Sequence, residues 1–164
     1  MKKQFLRGSE IKKIAQEIQD KYKVELLNKK DKIEIVETDE ACVLLKNDVP
    51  LLFKYKSITA KGEIKEEWIP TLKTIFANEI KIKKITVDKG AIKFVLNGAD
   101  IMRPGITQIE DNINQDELIL IIEEVQNKPL ALGIALFNSE DMKNQTQGKV
   151  IKTIHYLNDK IWGL

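Results

Sequence analysis

The sequence is poor in the residues from which catalytic and metal centres are built. It holds one cysteine, Cys42, and one histidine, His155. A lone cysteine excludes an intrachain disulfide and fits a reducing compartment. One Cys and one His cannot supply a tetrahedral zinc-ligand set, and no Ser-His-Asp or Cys-His arrangement has usable context. Gly98 and Gly105 stand alone, with no Gly-Lys-Ser/Thr after them, so there is no Walker-type phosphate loop. Long apolar runs are also missing. Stretches such as Leu118–Ile122 fall far short of the ~20 residues a membrane helix needs. The basic start, MKKQFLRGSE, is not followed by an apolar stretch and does not read as a signal peptide. These absences lead to the expectation of a cytoplasmic protein with no membrane partner, no metal, no cofactor and no catalytic turnover.

The few chemically suggestive groups have plain structural readings. Cys42 lies in the strand-like run Ala41–Leu45, where a buried thiol is expected rather than a nucleophile. His155 lies in a mixed strand and is expected to be a structural hydrogen-bonding residue. The carboxylate pairs Glu66-Glu67, Glu110-Asp111, Asp116-Glu117 and Glu123-Glu124 are read as solvated edges of strands and loops rather than acid/base pairs.

The chain is otherwise that of a soluble folded protein, with 43% hydrophobic and 32% charged residues among 164. Its charge is divided unevenly. Residues 1–84 carry 19 Lys/Arg against 14 Asp/Glu, whereas residues 85–164 carry 8 against 11. An anion site in the second half must therefore be local. A helix is expected over Glu10–Tyr22, capped by Ser9, with Ile11, Ile14, Ala15, Ile18 and Tyr22 inward and Lys12, Lys13, Glu17 and Lys21 outward. Strands are expected at Val24–Leu27, Ile33–Glu37, Ala41–Lys46 and Leu51–Lys56, with Asn47-Asp48 as a hairpin turn. Ser57–Glu67 reads as a polar loop. Pro70 reads as the first residue of a second helix that buries Leu72, Ile75 and Phe76. A linker at Asn78–Lys84 separates this α+β domain, residues 1–84, from a mainly-β domain, residues 85–164. The second domain is expected to run through a strand at Ile85–Val87, a short helix at Ala91–Asn97 ended by Gly98, and a type II turn at Pro104-Gly105. Apolar strands follow at Leu118–Val125 and Leu130–Phe137 around a turn at Asn127–Pro129, then a helical turn from Ser139 and a strand at Val150–Leu157. Many short strands with few helices point to a small closed or nearly closed barrel.

The stretch Val87–Ile106 stands out. On a helical wheel Ala91, Ile92, Val95 and Leu96 share the core side, and Lys93 and Asn97 share the opposite side. Phe94 falls beside the polar side, where it either packs against the first domain or stacks on a base or ribose. Lys89 and Lys93 flank the helix start, the unfavourable end of the dipole for a cation. With Arg103 returning on the next turn, the arrangement suggests a phosphate-binding surface.

The same stretch resembles the signature of the PUA domain, an RNA-binding module. The pattern is Val87-Asp88-Lys89-Gly90-Ala91, then Gly98-Ala99, then Pro104-Gly105-Ile106. Asp88–Leu96, the tail Ile154–Asp159 with Trp162, and the segments Leu51-Leu52-Phe53 and Pro70-Thr71-Leu72 resemble the malignant T-cell-amplified sequence family, also called translation-machinery-associated proteins. The resemblance spans most of the chain, strongly at Val87–Ile106 and the tail and weakly before Ile33. It implies an α+β pre-PUA domain followed by a mainly-β PUA pseudo-barrel. It also implies binding to tRNA acceptor ends or rRNA of the small ribosomal subunit in initiation, reinitiation or recycling, with an initiation-factor-like protein as a possible partner. By position, the RNA surface would comprise Lys89, Lys93, Phe94, Asn97, Arg103, Pro104 and Gly105, with Lys149 and Lys152 beside them. Two other roles remain open on sequence grounds: the RNA-docking subunit of a split tRNA-modifying enzyme, and a protein adaptor that does not bind RNA.

Overall fold

The computed structural model describes all 164 residues, which divide into two compact units. One comprises residues 1–58, 64–81 and 160–164; the other comprises 59–63 and 82–159.

In the first unit, β1 (Lys2–Phe5), β2 (Ile33–Glu37), β3 (Cys42–Lys46), β4 (Val49–Ile58) and β5 (Ile64–Pro70) form an antiparallel sheet in sequence order. Helix α1 (Gly8–Tyr22) lays Ile11 and Ile18 against a core with Leu26, Leu27, Ile33, Leu44 and Leu52. Asn47 and Asp48, at φ +53° and +64°, make the β3–β4 turn, the left-handed pair whose twist suits a two-residue hairpin. Helix α2 (Leu72–Ala77) is capped by the Thr71 hydroxyl, which accepts the Thr74 N–H.

Several local expectations fail here for identifiable reasons. Ser9 does not cap α1. The helix starts one residue before it, with Arg7 in the extended cap position, and the Glu10 carboxylate accepts the Arg7 N–H at 3.1 Å. Val24–Leu27 is not a strand, although Leu26 and Leu27 are buried; apolar content reports burial, not pairing. The strand β1 was not expected, because all four of its residues are exposed and it is held only by its register with β2. The polar stretch 57–67 is a hairpin rather than a loop: Lys56 pairs with Glu66 and Ile58 with Ile64 across β4 and β5. Pro70 ends β5 instead of opening α2, and Phe76 is 50% exposed, in edge-to-face contact with Trp162 at 6.0 Å.

The second unit is a six-stranded sheet in the order β7-β11-β10-β9-β6-β8. Its strands are β6 (Lys83–Val87), β7 (Ile101–Met102), β8 (Ile106–Ile109), β9 (Leu118–Glu123), β10 (Pro129–Ala135) and β11 (Lys149–Tyr156). The two edge strands, β7 and β8, are consecutive in the chain and joined by the 3-10 turn Arg103–Gly105. The sheet therefore curls back on itself into a nearly closed barrel, which removes its open edges. The strand β9 is buried along its whole length, as expected of a central strand covered on both faces. Its last residue, Glu123, is not a solvated edge: it is buried, and its carboxylate accepts the N–H groups of Val125, Gln126 and Lys128 at the turn into β10. Those bonds, Lys128 foremost, hold its pKa below the usual glutamate value.

The segment after β6 is tighter than expected. Instead of one helix over Ala91–Asn97, a 3-10 turn (Lys89–Ala91) runs into a single α-turn, α3 (Ile92–Val95). Val95 is fully buried, with Ala91, Ile92 and Leu96 packed around the same core. Gly98 ends the segment at φ +86°, and a Cβ there would lie 2.9 Å from the Tyr156 ring, so glycine is required on both counts. Helix α4 (Ser139–Asn144) is capped by Asn138, whose side chain accepts the Asp141 N–H.

Candidate functional site

A cleft of about 480 Å³ opens between α3 and the Ala99–Gly105 segment. Its walls are mainly apolar: Ala91, Phe94, Val95, Ala99, Ile101, Met102 and Pro104, with Gly90 and Gly105. The two sides are tied by the Asp88 N–H donating to the Gly105 carbonyl at 2.8 Å. Phe94 is 57% exposed and Met102 49% exposed, so two large apolar side chains stand open at one cleft. The Lys93 ammonium lies 5.1 Å from the centre of the Phe94 ring, a cation–π contact of ~0.5–1 kcal/mol at an exposed site.

The two carboxylates in the lining are already engaged. Asp88 accepts the Ala91 N–H at 2.9 Å. Asp100 accepts the Thr153 N–H and pairs with the Lys149 ammonium, each at 2.9 Å. Lys149 thus offsets one of the two negative charges in the lining, while Asp88, held by a neutral amide, keeps its own. Lys149 is placed there because β11 pairs with β7, which sets it opposite Met102.

The remaining sequence-derived residues sort into three groups. Lys89 and Lys93 are exposed, Lys93 beside the cleft and Lys89 next to its lining residues Asp88 and Gly90. Pro104 and Gly105 line the cleft, but in a 3-10 turn whose Gly105 keeps a negative φ, so the type II turn is corrected. Asn97 and Lys152 are exposed outside the lining. Arg103 is in a class of its own: it is half-buried, its Nε donates to the Met142 carbonyl at 2.7 Å and its Nη1 to the Ile106 carbonyl at 3.3 Å. Its guanidinium holds α4 to the start of β8.

The helix-start argument for phosphate binding is also corrected. The Lys89 N–H donates to the Glu124 carboxylate at 3.1 Å and the Ala91 N–H to Asp88. Those amides are therefore occupied, and a single α-turn has little dipole to offer. What remains is side-chain chemistry: an open aromatic, a thioether, and lysines at the rim. Met102 was missed in the sequence reading. Nothing in the sequence marks Ile101-Met102 as a strand; its pairing with β11 is what turns Ile101 in and Met102 out. His155 and Cys42 take no part. The His155 ring is buried, 2.8 Å from the Asp159 carboxylate, and burial raises the pKa of the half-buried Cys42 thiol.

Comparison with known proteins places both halves. Residues 83–157 match the PUA domain model, and residues 2–78 match a domain of unknown function (DUF1947). An uncharacterized protein of Methanocaldococcus jannaschii is 37% identical over 98% of this chain and 95% of its own length. Translation machinery-associated protein 20 of Eremothecium gossypii is 34% identical over 84% of this chain and 75% of its own. Malignant T-cell-amplified sequence 2 of Homo sapiens is 33% identical over 84% and 74%. The structure of a conserved PUA domain protein from Thermoplasma acidophilum superposes with a TM-score of 0.74 at 22% identity, covering 99% of this chain and 98% of that one, which establishes the shared fold. The chain belongs to the family of translation machinery-associated protein 20 and the malignant T-cell-amplified sequence proteins, and its second half is a PUA domain.

Proposed function

We propose that this protein is an RNA-binding component of the translation machinery that holds a single-stranded RNA end, a tRNA acceptor end or a segment of small-subunit rRNA, during initiation, reinitiation or recycling. The observation that carries this reading is the exposed Phe94 ring, with the Lys93 ammonium near it, at the mouth of an apolar cleft of about 480 Å³. A base stacks on an exposed aromatic for ~1–3 kcal/mol whatever its sequence, and a rim lysine meets the adjoining phosphate. Unstacked bases at RNA ends are the form of RNA that such a cleft can admit. The protein acts by binding and performs no chemistry on the RNA. Its partners are the small ribosomal subunit and, in analogy to the family, an initiation-factor-like protein.

The test uses the full chain and an RNA hairpin ending in a short single-stranded 3′ tail, with a blunt hairpin as control. The tailed RNA is expected to bind more tightly. Lys89→Glu with Lys93→Glu should flatten the log affinity against log salt line by roughly 1.5–2 units, because about two phosphate contacts are lost. Equal binding of tailed and blunt RNA, with unchanged salt dependence in the double variant, would overturn the assignment. Pull-down from cell extract is expected to recover small ribosomal subunits; recovery of a catalytic RNA-modifying subunit instead would assign the chain to modification.

A further inference from the structure

A second group of exposed cations lies away from the cleft, in the first unit. Five exposed cations lie on neighbouring segments around the passage from β1 into α1: Arg7, Lys12, Lys29, Lys30 and Lys32. The strand register brings Arg7 and Lys32 together. Phe5 pairs with Glu34, and the Leu6 N–H donates to the Ile33 carbonyl at 2.9 Å, so the next position sets Arg7 opposite Lys32. Gly8 brings in the following turn. Its Cα hydrogen faces the Lys29 backbone, and a Cβ there would lie 3.6 Å from the Lys29 carbonyl oxygen and 3.8 Å from its Cβ. Lys12 follows Gly8 by four residues on α1, hence on the same side of the helix one turn along. Lys30 sits in the Asn28–Asp31 turn, where its N–H donates to the Asn28 side chain.

All five side chains are exposed, and the nearby carboxylates are committed elsewhere. Asp31 pairs with Lys46 and Glu34 with Lys3; the exception is Glu10, which accepts the Arg7 N–H and pairs with its guanidinium at 4.0 Å, so Arg7 is partly offset. Lys12, Lys29, Lys30 and Lys32 have no ion-pair partner. Like charges gathered on one surface oppose folding by mutual repulsion, so the four unpaired lysines have no structural reason within the chain. A polyanion supplies one.

We infer that this surface is a second RNA-contact site, which grips the phosphate backbone of a duplex without reading sequence. The choice of RNA over another polyanion rests on the function proposed above. No open aromatic is needed here, and charge alone makes a sequence-independent, strongly salt-dependent contact.

The experiment measures affinity of the full-length protein for the tailed hairpin over roughly 50–200 mM salt. It compares wild type, the quadruple variant Lys12→Gln, Lys29→Gln, Lys30→Gln, Lys32→Gln, and Phe94→Ala. Thermal melting of the quadruple variant is expected to match or exceed wild type, since only mutually repelling exposed charges are removed. Its salt slope is expected to fall by about two to three units, with affinity at low salt at least about tenfold weaker for tailed and blunt hairpins alike. Phe94→Ala should weaken only the tailed RNA and keep the wild-type slope. A quadruple variant with wild-type slope, beside a Phe94→Ala variant that loses the tail preference, overturns this inference and leaves the cleft reading intact. The reverse pattern overturns the cleft reading and supports the patch. A wild-type protein that binds vesicles containing phosphatidylserine but neither RNA would overturn both.

Discussion

Arg103 separates a structural cation from a ligand-binding one, and its removal has a calculable cost. The Nε bond to the Met142 carbonyl is short, 2.7 Å, and the donor is charged; the Nη1 bond to Ile106 is long, at 3.3 Å. Hydrogen bonds to charged groups contribute ~1.5–3 kcal/mol. The side chain is half-buried and the Met142 carbonyl keeps a second donor, the Gln145 N–H at 3.3 Å, so the lower part of that range applies to the strong bond and little to the weak one. Arg103→Ala should therefore destabilise the protein by about 2 kcal/mol. For a chain of this size that lowers Tm by about 4–8 °C. Arg103→Lys should recover only part of the loss, because an ammonium cannot reach both carbonyls with a planar fork. Lys89→Glu with Lys93→Glu, both exposed, should stay within about 1 kcal/mol of wild type, the Lys93–Phe94 contact included. Scanning calorimetry of the variants, paired with RNA affinity of each, decides the matter. An Arg103→Ala protein that melts with wild type but loses RNA would refute the reasoning and return Arg103 to the binding surface.

Three further outcomes follow from packing and ionisation. Gly133→Ala places a Cβ 2.4 Å from the Ile151 methyl and 2.9 Å from the Lys152 carbonyl, inside a fully buried barrel wall; a loss of about 1–3 kcal/mol by urea unfolding is expected, and an unchanged midpoint would contradict the packing. The Tyr22 hydroxyl is buried without a hydrogen-bond partner, so Tyr22→Phe should raise stability by about 1 kcal/mol, and a destabilised variant would reveal an unrecognised partner. Burial, then the neighbouring Lys65, lowers the Lys21 pKa from 10.5 to about 8, against the pull of Glu17. The unfolded chain then holds the extra proton between those values, so stability should rise as pH climbs from about 8 to 10.5; in Lys21→Met this rise should vanish, as read from urea midpoints across that range.

The parts of the fold visible in the sequence are those where side-chain pattern and backbone pairing coincide. Ile33–Glu37, Cys42–Lys46 and the Asn47-Asp48 turn were legible because alternation, turn chemistry and pairing agree there. The apolar runs of β9 and β10 were legible for the same reason. The strand β1 was hidden because an exposed edge strand has no hydrophobic signature. The polar halves of β4 and β5 were hidden because a hairpin beyond the core has little to bury. At the site, the motif located Phe94, the lysines and Pro104-Gly105, since these are neighbours in sequence. The anchoring of Arg103 was invisible, because its acceptor, Met142, lies 39 residues further on. The basic face of α1 was legible as composition, but its placement beside the Lys29–Lys32 segment required the β1–β2 register.

Fluorescence of a base analogue tests directly whether Phe94 is a stacking surface. A hairpin carrying 2-aminopurine at the last nucleotide of its 3′ tail is titrated with the full-length protein. Stacking on the exposed ring should change the probe's emission at saturation in wild type and in Phe94→Tyr, which keeps an aromatic face. In Phe94→Ala the emission at saturation should return to that of the unbound tail, with affinity about 5- to 150-fold weaker for a lost stack of ~1–3 kcal/mol. The same saturated emission and affinity in Phe94→Ala as in wild type would contradict the central claim that this cleft holds an RNA end.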